Sequence, residues 1–203
     1  MEQDEIKEYI RKIKTELRLS MNGVASAYMR ENGLTYKLNF GVEIPRLKAL
    51  SETLPHNHEL AQALWKENIR ECKLLAGMLQ PADTFYPEIA DIWMETMPTV
   101  ELAQHTVQNL FCRLPYASDK AFQWIADERD LYQICGYLIL ARLFMNGGIL
   151  NEHSEHEFLD QVQAALHGSP EVKRAAISAL QKFQLINEES YEKGESVIQG
   201  LNS

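Results

Sequence analysis

The sequence predicts an all-α protein: a right-handed α-solenoid, or superhelix, of HEAT-like antiparallel helical hairpins. Three observations carry this reading. Apolar residues recur at three- and four-residue spacing almost everywhere. The connections between periodic stretches are short. No convincing strand pattern interrupts them. With 203 residues the chain has the length of one domain or one continuous repeat array. We read it as a single α-helical repeat domain over residues 1–203.

The first helix is expected over about residues 3–18, followed by some ten short helices. Pro45 suits a first helical position, where its missing N–H is no loss. Asn57 can cap a helix carrying Leu60, Ala61 and Leu64. Ile69, Cys72, Ala76 and Leu79 form the next apolar stripe, and Pro87 can open the helix that holds Ile89, Ile92 and Trp93. Thr99 can cap a helix with Val100, Ala103, Val107 and Leu110 on one face, and Glu101 lies near the positive end of its dipole. Ser118 is a further start signal, ahead of the stripe of Leu131, Ile134, Cys135 and Leu138. Gly147-Gly148 is a stop signal. Phe158, Leu159, Val162, Ala165 and Leu166 make a two-turn apolar face that ends at Gly168. Ser169-Pro170 then starts the helix of Val172, Ala176, Ala179, Leu180 and Phe183. Each apolar face needs a partner, since one amphipathic helix alone is marginal in water. Short links make successive helices antiparallel neighbours, and the absence of a long bundle helix favours stacked hairpins. An irregular all-α globule is the alternative.

Composition narrows the functional classes. Hydrophobic residues make up 45% and charged residues 24%, which excludes a disordered chain or a collagen. The longest apolar runs, such as Tyr137–Ala141, fall far short of the roughly 20 residues of a membrane span. The acidic start, Met1-Glu2-Gln3-Asp4-Glu5, is unlike a signal peptide, so a cytoplasmic protein with no membrane partner is expected. Cys72, Cys112 and Cys135 are widely spaced and read as small core residues.

The net charge is −9, which argues against a generic nucleic-acid binder. It is unevenly spread. Residues 1–73 hold 12 basic and 11 acidic residues, a balance of +1. The remainder holds 8 and 18, a balance of −10. An anionic partner would therefore meet the N-terminal third, unless the acidic part is simply a solvated surface.

Several patterns look chemical and are better read as structural. His56-Asn57-His58 is contiguous at a helix start and suits turn and cap chemistry. His153, His156 and Glu157 lack the order and spacing of a zinc helix. The ten glycines are scattered, without a phosphate-binding loop. The segment Gly33–Lys48 differs. A loop leads to a glycine at which a positive φ is useful, then to a proline-opened helix. Lys37, Arg46 and Lys48 alternate there with Tyr36 and Phe40. This suits a phosphate backbone. It suits equally an aromatic plug of Tyr36, Phe40 and Val42 with solvated cations around it.

Phe40-Gly41-Val42-Glu43-Ile44-Pro45-Arg46-Leu47, then Leu60-Ala61-Gln62-Ala63-Leu64-Trp65 and Arg70-Glu71-Cys72-Lys73-Leu74-Leu75-Ala76, resembles the bacterial DNA alkylation repair family of AlkD-type alkylpurine DNA glycosylases. The resemblance is clear over about residues 24–80 and weaker beyond. It implies a HEAT-like solenoid with DNA on a basic concave face. It also implies removal of cationic alkylated purines without metal or other cofactor: such a base is a good leaving group, and a carboxylate stabilises the charge developing on the sugar. The family pattern has Trp-Asp-x-x-Asp at the start of a middle helix, with the second Asp catalytic. Here the matching stretch is Val100-Glu101-Leu102-Ala103-Gln104, so valine replaces tryptophan and Gln104 replaces the carboxylate. The family's arginine falls near Gln133–Gly136 and its second tryptophan near Ala179, neither of which is matched.

The expected function is therefore a DNA-binding member whose glycosylase activity is lost or altered, holding DNA through Lys37, Arg46, Lys48, Arg70 and Lys73. Val100, Glu101 and Gln104 mark the degenerate pocket. A glycosylase that uses Glu101 instead, and a non-enzymatic HEAT scaffold binding a protein on its concave face, are the alternatives. A monomer is expected.

Overall fold

The computed structural model describes residues 1–34 and 36–200. It divides into two compact units, Met1–Leu110 and Phe111–Ser203. Among the described residues its regular secondary structure is helical, apart from one isolated parallel bridge between Leu38 and Ile69.

The first unit contains α1 (Gln3–Leu19), α2 (Gly23–Glu31), α3 (Ile44–Ser51), α4 (His58–Lys66), α5 (Arg70–Leu79), α6 (Pro87–Glu95) and α7 (Val100–Asn109). The expected caps are in place. Asn57 Oδ1 accepts from Leu60 N at 3.0 Å, and Thr99 Oγ1 from Leu102 N at 3.2 Å. Pro45 takes the second rather than the first helical position, with Glu43 as the cap residue. At the centre lies α5, which packs on α3, α4 and α7. All ten of its residues are buried. Beside it, Trp65 of α4 stacks on Trp93 of α6, with ring centroids 3.9 Å apart and planes 4° from parallel. Each indole N–H is satisfied, by Thr96 Oγ1 and Gln62 Oε1 respectively, as buried tryptophans require.

The second unit contains α8 (Ala117–Ile125), α9 (Asp130–Met145), α10 (Glu152–Ala165), α11 (Pro170–Gln184) and α12 (Glu188–Gln199). Here α9 is the inner helix, packed on α8 and α11. A side chain at Gly136 would meet Ala121 O at 2.7 Å, so glycine sets the close approach of α8 and α9. Phe144, Phe158 and Phe183 tie α9, α10 and α11 together, with ring centroids 5.2–5.6 Å apart. Ser118 is no cap: the turn in which Ala117 N donates to Leu114 O starts α8 one residue earlier, from Tyr116. Ser169 does cap α11. Gly147, at φ +82°, ends α9 as its stop signal implied. Cys72 and Cys135 are core residues, while Cys112 is half-buried.

Candidate functional site

The chain from Tyr36 to Val42 is stitched to the start of α5. Leu38 N donates to Asn68 O and Arg70 N to Leu38 O, both at 3.2 Å. Gly41 turns the chain at φ +69°, and a Cβ there would lie 2.3 Å from Asn22 O. Tyr36, Phe40 and Val42 are all buried, so the aromatic plug is real. Tyr36 Oη lies 3.1 Å from Thr99 Oγ1, linking the plug to the start of α7.

Beneath this loop lies a charge network. Glu71 is fully buried, and its carboxylate accepts from Phe40 N at 3.1 Å and Val42 N at 3.2 Å. Arg70, 1% exposed, donates from Nη1 to Val42 O at 3.0 Å and to Glu71 at 3.1 Å. Its Nε and Nη2 grip the Glu101 carboxylate at 2.9 and 2.6 Å. Burial by itself would lower the Arg70 pKa, but its hydrogen bonds and attraction to Glu101, with help from Glu71, hold it above the usual value. Burial lowers the pKa of half-buried His105, one turn beyond Glu101.

Two of the five cations expected to contact DNA are therefore unavailable for that role. Arg70 is taken up by this network. Lys73 is buried, with Nζ donating to Trp65 O at 2.6 Å and lying 4.6 Å from the Trp65 ring centroid. Burial draws its ammonium below the ordinary lysine value. The cause is the burial of α5 on every side. A helix in the middle layer of packed helices gives its polar residues no solvent face, so they must find partners inside.

Lys37, Arg46 and Lys48 are exposed but do not converge. Lys37 lies beside Lys14 of α1, in a cleft with Glu67 and Asn68. Arg46 lies on another side of α1, where it and Lys12 flank an apolar groove of about 530 Å³ formed by Ile13, Leu17, Leu47 and Leu50. Lys48, two residues after Arg46, points about 200° away around α3. A further set of cations escaped the sequence reading: Lys7, Arg11, Lys14 and Arg18 line one groove along α1. Their spacing of four, three and four residues is a helical stripe. The equal numbers of acids and bases in residues 1–19 concealed it.

At the start of α7, Val100 and Glu101 are half-buried and Gln104 is exposed. Glu101, with 28% of its side chain exposed, is the nearest carboxylate in the sequence, and Arg70 neutralises it. In the second unit, Ala179 is fully buried and Gln133 Nε2 donates to Asp127 O at 2.6 Å. Neither position presents an aromatic ring or a guanidinium.

No curated protein matches the chain. One similar solved structure is described as a new family of proteins related to the HEAT-like repeat DNA glycosylases with affinity for branched DNA structures. The likeness has a TM-score of 0.82 at 20% identity, over 93% of this chain and 81% of that one. It establishes the fold as the HEAT-like α-solenoid class. Among the described residues no helix is long and apolar enough to cross a membrane. A model of the family described as DNA alkylation repair enzyme matches residues 13–182, most of the chain, so this protein belongs to the DNA alkylation repair family.

Proposed function

We propose that this chain binds DNA, branched DNA in preference to linear duplex, and does not excise bases. The observation that carries the second half is the state of the carboxylates. Gln104 is a neutral amide at the catalytic position of the family pattern, and Glu101 is held face to face with Arg70. A carboxylate paired with a guanidinium has little field left to stabilise an oxocarbenium-like state. Val100, Glu101 and Gln104 thus form a vestige of a pocket.

The first half rests on family membership and on the fold shared with a protein described as having affinity for branched DNA. Lys37, Arg46 and Lys48 remain as backbone contacts in this reading. A cytoplasmic, monomeric protein without metal or cofactor fits it. A protein partner is the second reading, favoured by the −10 balance of residues 74–203.

Fluorescence anisotropy with a labelled four-way junction and a linear duplex of the same composition tests the binding. Tighter binding of the junction, weakening steeply with salt, is expected. Binding to neither overturns the reading. Release of 7-methylguanine from alkylated duplex tests the chemistry. None is expected, and release that vanishes in Glu101→Gln would restore the enzyme.

A further inference from the structure

We infer that the outer face of α1 is a phosphate track, with Lys7, Arg11, Lys14 and Arg18 as its rail and Lys37 as its lateral extension. The inference rests on the DNA-binding reading and assigns it a surface that the expected cluster lacked.

At about 100° per residue, the four side chains of α1 fall within about 60° of its circumference. They span about 16 Å along the axis at 1.5 Å per residue. Glu5 and Glu16 lie on the other side of the helix, and Glu8, a quarter turn from the basic stripe, is paired with Lys12 at 2.9 Å. Ile13 and Leu17 take the buried side. The helix thus carries an apolar face, a mainly acidic face that includes Lys12, and a mainly basic face with Asp4 at its edge. A helix that needed only solubility would intersperse its charges.

Lys7 pairs with Asp4 at 2.9 Å, with both side chains largely exposed, so the pair is weak and exchangeable. Lys14 pairs with Glu67 at 2.8 Å, which sets it beside Lys37. The guanidinium groups of Arg11 and Arg18 make no hydrogen bond or ion pair among the described residues, whereas their backbone carbonyls accept from Thr15 Oγ1 and Met21 N. These guanidinium groups are exposed, planar donors held about two turns apart on one helix, a geometry that suits phosphate oxygens. A duplex presents one negative charge per about 1.7 Å of its axis, so a line of cations finds phosphates without reading sequence. Lys7 and Arg11 also precede residue 13, where the family match begins.

The experiment compares the full chain with Arg11→Gln/Arg18→Gln and with Lys12→Gln on the acidic side, each checked by circular dichroism melting. Anisotropy is read on a labelled duplex and on labelled poly-glutamate across a salt series. We expect the double variant to lose at least tenfold in DNA affinity at low salt. Its log–log salt slope should fall by about 2, since each lost phosphate contact removes about 0.9. Lys12→Gln should match the wild type. Unchanged affinity and slope in a folded double variant overturns the track while leaving the DNA-binding reading intact. No DNA binding by the wild type overturns that reading instead. Poly-glutamate binding lost in the double variant, with DNA affinity unaltered, also overturns the track and makes the face a docking site for an acidic protein.

Discussion

Arg70 and Glu101 meet as two parallel forks, Nε to Oε2 at 2.9 Å and Nη2 to Oε1 at 2.6 Å, and so bind the start of α5 to the start of α7. The same guanidinium also supports the loop through Val42 O and neutralises fully buried Glu71. Removing a partner from a buried ion pair leaves a charge without compensation, at about 3–5 kcal/mol. Arg70→Met should therefore lower the unfolding free energy by about that amount, read from the urea midpoint. Glu101→Gln should destabilise less, because Glu71 still faces Arg70. In the double variant the two effects should fall well short of additive. Additivity within error would show that the pair is not a unit.

Lys73 offers a cleaner separation of stability from binding. Its Nζ satisfies Trp65 O and sits over the Trp65 ring, away from solvent. Lys73→Met keeps the stem and its packing but removes the donor, which should cost about 1–3 kcal/mol from the unpaired carbonyl. DNA affinity and its salt slope should stay at the wild-type values under conditions where the variant is folded. Lys37→Gln should do the opposite, leaving stability within about 0.5 kcal/mol and lowering the slope by about 0.9.

The contrast between these lysines shows what the sequence can and cannot tell. Asn57, Thr99 and Ser169 were legible as caps because capping is local: a short polar side chain next to an apolar run has few other uses. The helical pattern was legible for the same reason. The burial of Arg70 and Lys73 was not. It depends on α5 being covered by α3, α4 and α7, elements distant in the chain, and a charged residue in the sequence reads as exposed until such packing is known. Glu101 was singled out as a carboxylate near the expected pocket, yet its role is set by a residue 31 positions earlier. The basic stripe on α1 is a different kind of omission. It was present in the spacing of Lys7, Arg11, Lys14 and Arg18, and a charge balance summed over residues 1–73 averaged it away.

Gly41 was expected to need backbone freedom, and two independent constraints now act on it. Its φ is +69°, and an added Cβ would lie 2.3 Å from Asn22 O and 2.6 Å from Ser26 N, both backbone atoms of the α2 region. Neither can retreat without moving α2, because Asn22 N itself donates to Phe40 O at 2.9 Å. Gly41→Ala should destabilise by well over about 1 kcal/mol. Hydrogen exchange at Phe40 and Val42, whose amides donate to Glu71, should accelerate more than exchange in α9. Gly33→Ala makes the control, with φ also positive at +86° but open space around the position. If the two variants lose the same stability, the close approach to α2 contributes nothing.

The buried thiols give the first unit a weakness at alkaline pH. Burial pushes Cys72 up to about 12, while an unfolded thiol ionises near 8.5. Between those values the unfolded chain releases a proton that the folded chain retains. The native state then binds more protons than the unfolded one, so stability falls as pH rises through this window. The contribution is intact below about pH 8 and declines at about 1.4 kcal/mol per pH unit above the unfolded value. Cys135, buried in α9, is shifted in the same direction and adds to the slope in the second unit. Urea midpoints measured from pH 7.5 to 10 should therefore fall more steeply in the wild type than in Cys72→Ala. Dithionitrobenzoate should leave Cys72 and Cys135 unlabelled in the native protein and react with both once it unfolds. Rapid native labelling of Cys72, or parallel pH profiles for the two proteins, would place that thiol in contact with water and break the argument that α5 is sealed.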